Sequence, residues 1–553
     1  MNEYKEIQMD DKENSKSVSV VDHWIEIIST PELKISLYYT LLLTISVIFQ
    51  LLADTFITRI VGKYGGDYAT ARGIIIIIII IILFLSIILI IILILIIILI
   101  LILIILSISI NFIIIIIGVC GTILGFAFYV FGFLTAGFTS KVSRVYGAGV
   151  KNDPILGAWI KTAVLTGLGS GIITLIAFGP TYELWLATFG ITRKDPVFET
   201  IAIWYWSRLI GMTPNLMYNA VLGVLQGMQM PLYIVANNIC LAIIDILCNY
   251  LFLDVFGWGA FASPMGINVA FVVSLIFALL YLFYGPGVKD SFTVLPIKKM
   301  LPWKESKIMF LQGSSLMIRS FLVELSTFLV AISCQSFGSG AITAVTNVYS
   351  ELTKYSYFIP SGLATAGIML GGYLIGKGKI GAFNTLLTIL PICAAFLGIL
   401  FFIILASTGP YYWTNFFLES TDDGFDSVYN YVRISYWLIL LIQPINAMLA
   451  VYEGLLFATQ SFDFVRNVVV IGFTLIFLPC FLIGWFAGNG SITVIILAQT
   501  SYSLFRTICY GYKIHTSLID ELKKQIVLEK IDEDNSDDST YSSSLLVELS
   551  SPK

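Results

Sequence analysis

The sequence has few charged residues for its length. Asp, Glu, Lys and Arg together make up 12% of the 553 residues, whereas hydrophobic residues make up 58%. Because soluble domains are about 25% charged, most of this chain is expected to lie in a lipid bilayer. The small formal net charge of −4 argues against a nucleic-acid partner, since binding to phosphates requires an excess of basic residues.

Histidine is nearly absent, and the cysteines show no metal-binding spacing. His23 and His515 fall outside or at the edge of the predicted spans, so a haem or metal site within the membrane would lack histidine ligands. The seven cysteines are scattered through apolar segments, where cysteine behaves as a small hydrophobic residue. No histidine lies within a predicted span, where it could act as the base that activates a nucleophile. We therefore expect no metal, no cofactor and no enzymatic activity.

Apolar segments of helix length fill most of the remaining sequence. They predict an all-α membrane protein with about 12 transmembrane helices in two six-helix bundles. The polar tails are expected to be cytoplasmic, and the acidic, Ser-rich C-terminal tail is expected to be disordered. The predicted parts are an N-terminal tail at 1–33, a first bundle at 34–288, a linker at 289–307, a second bundle at 308–515 and a C-terminal tail at 516–553.

An almost pure Ile/Leu tract at 74–117 interrupts the first bundle. As one straight helix it would be about 65 Å long, roughly twice the ~30 Å hydrocarbon core of a bilayer. The tract either folds back as a two-crossing hairpin or is a low-complexity expansion or mistranslated intron. We assign it no function.

The two halves of the chain share motifs at a nearly constant offset. Six spans per half is an even number, so both halves have the same orientation and are related by a pseudo-twofold axis along the membrane normal. That arrangement places a substrate cavity between the halves and suits alternating access. The matching positions are Thr135 with Thr365, Gly147 with Gly376, Asn215 with Asn446, Gly223 with Gly454 and Gln229 with Gln460.

Basic residues concentrate after spans 2 and 8, in the central linker and after the last span. By the positive-inside rule, both termini and the linker are cytoplasmic. The target membrane, plasma membrane or endomembrane, is left open. Residues that set this orientation include Lys141, Arg144, Lys377, Lys379 and Lys513.

Several motifs resemble those of the multidrug and toxic compound extrusion (MATE) family of cation-coupled antiporters. The resemblance covers about 33–512 without the Ile tract. It rests on Asp54-Thr-Phe-Ile, on Gly147-Ala-Gly149, on Pro214 followed by Gly223-x-Leu-x-Gly227, and on Leu247-Cys-Asn249-Tyr250. The resemblance implies two bundles of helices and export of organic, often cationic, compounds against an inward flow of H⁺ or Na⁺.

The resemblance also implies candidate coupling residues. Many MATE members use an Asp in span 1 and an Asn-x-x-x-Asp pair in span 5. Asp54 matches the first, and Asp245-x-x-x-Asn249 has the two groups of the second exchanged by one helical turn. We predict cation coupling at Asp54, Asp245 and Asn249. Asn446 stands where many members carry a span 10 acid, so a second-lobe cation site of that type is weakened.

Other polar residues within the spans are candidates for lining the cavity: Asn215, Glu324, Glu351 and Asn446. Each has a structural alternative. Asp245 is also consistent with an interhelical hydrogen bond, Asp54 with a pair to Arg59, and Glu351 with a pair to Lys354. The asparagines beside prolines are suited to satisfy freed carbonyls, and Glu453 is expected to be an end charge of span 10.

The sequence thus predicts a monomeric secondary antiporter with a small organic substrate and the lipid bilayer as its partners. A lipid-linked saccharide flippase of the same superfamily is the first alternative, although such flippases tend to need basic residues inside the cavity. A membrane receptor or structural protein is the alternative from another class, and it would not need symmetric halves.

Overall fold

The computed structural model describes residues 111–149, 154–195, 198–284, 303–336, 340–417, 425–487 and 492–524. The regular elements within these ranges are all helical, as predicted. Asp54, the N-terminal tail and the Ile tract up to residue 110 lie outside the described residues.

The first half of the chain contributes the helices that we call the first lobe. Its last two helices are joined by a π-helical turn, Leu251–Val255, and a 3-10 turn, Gly259–Phe261. The helices are α1 (Asn111–Val130), α2 (Phe133–Gly147), α3 (Pro154–Phe178), α4 (Tyr182–Thr188), α5 (Phe198–Ile210), α6 (Met212–Gly227), α7 (Pro231–Tyr250) and α8 (Ala262–Tyr284).

The second half contributes longer helices, which form the second lobe. Two π-helical turns, Phe473–Phe477 and Ile483–Ala487, flank the short helix Leu478–Leu482. The helices are α9 (Trp303–Ser336), α10 (Gly340–Gly376), α11 (Ile380–Phe417), α12 (Phe425–Ala458), α13 (Phe462–Gly472), α14 (Leu478–Leu482) and α15 (Ile492–Thr516).

The outer surface of the helices is apolar. Eight helical segments among the described residues are long and apolar enough to cross a membrane. Large side chains such as Ile176, Leu475 and Phe486 are 68%, 71% and 75% exposed. A helix satisfies its own backbone hydrogen bonds, so this exposed apolar surface is suited to lipid.

One predicted span is broken in the structure. The apolar run 198–227 predicts one membrane span, and within it α5 ends at Ile210 and α6 begins at Met212. Pro214 has no N–H to donate to the carbonyl of Ile210, so the helical ladder is interrupted here. The predicted span is therefore kinked at Gly211.

Equivalent positions of the two halves make equivalent contacts. A Cβ on Gly223 would lie 2.5 Å from the carbonyl oxygen of Thr135, and one on Gly454 would lie 2.5 Å from that of Ala364. Only glycine allows backbones to approach this closely. The shared motifs therefore bring α6 onto α2 and α12 onto α10 in the same way, and the contacts pair Thr135 with Ala364, one residue before its sequence match Thr365.

The lobes touch each other where α2 and α10 end. A Cβ on Gly147 would lie 2.3 Å from the carbonyl oxygen of Tyr373, and one on Gly376 would lie 2.1 Å from that of Arg144. These contacts are counterparts of each other under the repeat. We call this region the basic end, because it also carries Lys141, Lys377 and Lys379.

Hydrogen bonds across the basic end reinforce the contact. Lys141 Nζ donates to Gln460 Oε1 at 2.6 Å, and Gln229 Nε2 donates to the carbonyl oxygen of Met369 at 2.7 Å. Gln229 and Gln460, which match in the repeat, both have φ of 60°. The two lobes are therefore closed against each other at this end.

Gly376→Ala is expected to separate the lobes at the basic end, because the new methyl group would overlap the Arg144 carbonyl. Ser140 is fully buried at this contact and donates to the carbonyl oxygen of Phe457 at 2.6 Å. The reporter is Ser140→Cys in a background without native cysteines. Adding Gly376→Ala should raise the rate at which this cysteine reacts with a water-soluble maleimide several-fold. Gly381→Ala is the matched control, since a Cβ there meets no atom within 4 Å. Equal rates in both variants would contradict the prediction.

Candidate functional site

Asp245 is a buried carboxylic acid in the middle of the first lobe. It lies on α7 and is 2% exposed, and Asn249, one turn later, is 3% exposed. Asn249 Nδ2 donates to Asp245 Oδ1 at 2.8 Å and to the Asp245 carbonyl oxygen at 2.9 Å. The i, i+4 spacing places both side chains on one face of the helix. The structure thus brings these two candidates together.

The pair presents oxygen atoms within the protein interior. Asn249 Oδ1 is buried and has no hydrogen-bond partner among the described residues. A carboxylate and an amide oxygen are hard ligands of the type that bind small cations. The arrangement is therefore able to hold a proton on the acid or to contribute two oxygens to a cation.

Helix α8 holds Asn249 in place. A Cβ on Gly266 would lie 2.6 Å from Asn249 Nδ2, so the backbone of α8 lies directly against the amide that donates to Asp245. Gly266 is therefore a positioning residue for the pair.

Gly266→Ala is expected to displace the Asn249 amide and to break its hydrogen bond to Asp245. The initial rate of gradient-driven transport should fall while the thermal midpoint changes little, because only one side chain must move. The measurement compares initial transport rates and thermal midpoints of purified protein. Gly169→Ala on α3 is the control, since a Cβ there meets no atom within 4 Å. A variant with normal transport would show that the position of Asn249 is not important.

A second polar group in the first lobe is linked by hydrogen bonds, although Asn237 Oδ1 is buried and has no partner among the described residues. Tyr218 Oη donates to Asn238 Oδ1 at 2.9 Å, and Asn237 Nδ2 donates to Tyr218 Oη at 3.1 Å. Asn215 is 1% exposed and accepts from Asn219 Nδ2 at 2.9 Å. Sequence reasoning did not single out Tyr218 or the Asn237–Asn238 pair, although two adjacent asparagines in an apolar helix were a visible signal.

The second lobe contains a buried ionic cluster. Glu453 on α12 is 3% exposed. Arg319 of α9 donates to both of its carboxylate oxygens at 2.5 Å, and Arg506 of α15 donates to Oε2 at 3.4 Å. The prediction that Glu453 is an end charge is wrong. Although α12 ends only five residues later, α9 and α15 cover this part of it.

Glu324 lies beside this cluster. It is half-buried on α9 and close enough to Arg319 and Arg506 to interact with both electrostatically. Asn446 is half-buried on α12, two turns before Glu453. Asp54 and the side chain of Glu351 lie outside the described residues, so their predicted roles stay predictions.

The arrangement of helices matches solved transporters over nearly the whole chain. The eukaryotic MATE transporter AtDTX14 superimposes with a TM-score of 0.69 and 15% identity, covering 89% of this chain and 98% of that one. The chain has the fold of a MATE transporter. No protein-family model matches the sequence, and no curated protein is similar enough in sequence to count as a relative.

Two further structures extend the MATE comparison. A mutant of the Vibrio cholerae MATE transporter VcmN gives a TM-score of 0.64 at 14% identity, covering 88% of this chain and 98% of that one. A MOP superfamily transporter from Pyrococcus furiosus, described as having a binding pocket of reverse polarity, gives 0.69 at 13% identity, covering 90% and 98%. These neighbours are transporters and not enzymes.

The MATE fold and the apolar helices make this an integral membrane protein of two bundles. Within that fold, the first lobe carries a buried acid with an amide, and the second lobe carries an ion cluster. Among the described residues, no group of three or more His, Cys, Asp or Glu is arranged to hold a metal ion.

Proposed function

We propose that this chain is a secondary antiporter that exports organic compounds across a membrane in exchange for H⁺ or Na⁺. The observation that carries the proposal is Asp245, an acid buried among apolar helices in a MATE fold. Placing an Asp at mid-membrane costs about 2.5–3.5 kcal/mol on the insertion scale. Such a residue is by default a functional candidate.

Coupling would work through the two charge states of the first-lobe site. Protonation, or binding of Na⁺ by the oxygens of Asp245 and Asn249, neutralises the buried charge and changes which conformation is favoured. Asp54 is proposed as the third member of this site on the basis of the sequence resemblance. Asn215, Glu324, Glu351 and Asn446 are proposed to line the path of the substrate.

The closed basic end supports an alternating-access cycle. The positive-inside rule places this end, and with it both termini, in the cytoplasm. In the conformation described here the lobes would then be closed toward the cytoplasm. Opening requires the contacts between α2 and α10 to separate, and the ion bound in the first lobe would bias that step. We propose that a monomer in the bilayer completes this cycle.

The test uses purified protein in proteoliposomes loaded with the fluorescent cation ethidium. An imposed pH gradient and an imposed Na⁺ gradient are applied in separate experiments, each with an ionophore control that collapses it. Ethidium efflux that depends on one of the two gradients supports the antiporter and identifies the coupling ion. Efflux equal to that of empty liposomes under both gradients would contradict the assignment for organic cations.

A lipid-linked saccharide flippase is the second candidate. Arg319 and Arg506 lie inside the second lobe, and basic residues at such a position are suited to a pyrophosphate group. Reconstitution with a fluorescent lipid-linked saccharide, followed by quenching from outside the vesicle, discriminates the two functions. Fast exchange of the label between leaflets without an ion gradient would favour the flippase.

A further inference from the structure

Arg506 is a buried cation whose hydrogen-bonding groups are incompletely used. The residue is 3% exposed. Its hydrogen bond to Glu453 is long, at 3.4 Å, and its Nε has no partner among the described residues. A guanidinium keeps its charge and its five N–H donors in any protein environment. Leaving such donors buried without acceptors is costly, so this position favours an additional acceptor.

The nearby carboxylates do not supply that acceptor. Both oxygens of Glu453 already accept from Arg319 at 2.5 Å. Glu324 interacts electrostatically with both arginines, but the described side chains show no ion pair between it and either one. Two guanidinium groups therefore share one closely bound carboxylate, and Arg506 is the one that lacks hydrogen-bond acceptors.

Aromatic rings flank the same guanidinium. Its carbon lies 5.3 Å from the ring centroid of Tyr502 and 5.9 Å from that of Tyr510. These three residues follow one another at intervals of four on α15 and lie on one face. The hydroxyl group of Tyr502 is buried and also has no partner among the described residues.

Two neighbours of the cluster are more exposed than its core. Tyr357 of α10 interacts electrostatically with Glu453 and Arg319, yet 38% of it is exposed. Glu324, beside the same arginines, is half-buried. Because Glu453 and Arg506 themselves are buried, a substrate would have to approach them past Tyr357 and Glu324.

We propose that the second lobe binds the carboxylate group of an organic substrate at Arg506. The planar guanidinium fork matches a carboxylate in two hydrogen bonds, and the fully buried rings of Tyr502 and Tyr510 hold that fork in place. The assignment deepens the proposed transport function, because it names a substrate class with a negative group. Glu453 remains paired with Arg319 and keeps the rest of the cluster neutral.

Equilibrium binding to the full-length protein in detergent tests the site without any ion gradient. Fluorescence polarisation compares carboxyfluorescein with its dimethyl ester, which keeps the ring system and has both carboxyl groups blocked. The wild type is expected to bind the acid about tenfold more tightly or better, as charge-assisted hydrogen bonds imply. Arg506→Gln should remove this preference. Arg506→Lys should retain part of it, because lysine keeps the charge without the fork.

Arg433→Gln is the matched control, since Arg433 lies on α12 and is exposed; its preference for the acid should equal that of the wild type. Thermal midpoints identify variants that do not fold. If Arg506→Gln does not fold, the acid preference of Arg506→Lys tests the proposal instead. Equal binding of acid and ester by the wild type, or an unchanged preference in the folded Arg506 variants, would overturn the proposal. So would displacement of the probe by inorganic phosphate as effectively as by benzoate.

The binding test and the transport test have outcomes that refute one proposal without refuting the other. Acid-selective binding together with no gradient-driven transport of either dye would refute the antiporter and leave the carboxylate site standing. Ethidium transport with no selectivity for the acid would refute the carboxylate site and leave the antiporter standing.

Discussion

Asp245→Asn is expected to reduce gradient-driven ethidium efflux to the level of empty liposomes. Asparagine fills nearly the same space and can still accept a hydrogen bond from Asn249, but it cannot gain or lose a proton or offer a negative charge to Na⁺. The ion gradient then has no group on which to act. Initial efflux rates in proteoliposomes, normalised to the reconstituted protein, measure the effect.

The control for this variant removes a carboxylate outside the membrane. Glu183 on α4 is half-buried and pairs with the exposed Arg193, which holds the pKa of that carboxyl below its usual value by hydrogen bonding. Because exposed pairs contribute little, Glu183→Gln should transport like the wild type. Efflux that survives in Asp245→Asn and still follows the gradient would show that coupling takes place elsewhere.

Glu453→Gln is expected to lower the free energy of unfolding by about 3–5 kcal/mol, the cost of breaking a buried ion pair from one side. The change would leave the buried Arg506 and the half-buried Arg319 with no carboxylate in hydrogen-bond contact among the described residues. Arg319→Met should cost less, since Glu453 then keeps Arg506 as its partner. Denaturant titration of purified protein in mixed micelles gives both values.

The control for this pair of variants is Glu521→Gln. Glu521 is exposed and pairs with Lys513, so its loss should leave stability nearly unchanged. The order of the two cluster variants is the sharper part of the prediction. If Arg319→Met is as damaging as Glu453→Gln, Arg506 is not a partner of Glu453 in the membrane.

The helices themselves were largely predictable. The apolar runs at 154–178 and 231–256 correspond to α3 and to α7 with its π-helical turn. A segment in lipid has no water to satisfy its backbone, so an apolar run of sufficient length must be helical. The exception is the break between α5 and α6, where Pro214 and its neighbours outweigh the hydrophobic pattern.

The sequence indicated the first-lobe pair but not the second-lobe ion cluster. Asp245 and Asn249 are one turn apart on a single helix, so their spacing alone places them together. The partners of Glu453 are 134 and 53 residues away. Position along a span indicates depth in the membrane but does not show which helices pack around a residue. That is why Glu453 was predicted at an exposed end and why Arg506 was not singled out.

By itself the sequence determined that this protein is a helical membrane protein built from two similar halves. Those properties follow from composition, from the length of the apolar runs and from motifs that recur at one offset, all of which are local or periodic. Only the tertiary structure decided how the lobes meet at the basic end and which charges are shared between α9, α12 and α15. The physical reason is that apolar helices are nearly interchangeable as packing partners in lipid, so the few close glycine contacts and buried ion pairs select the arrangement.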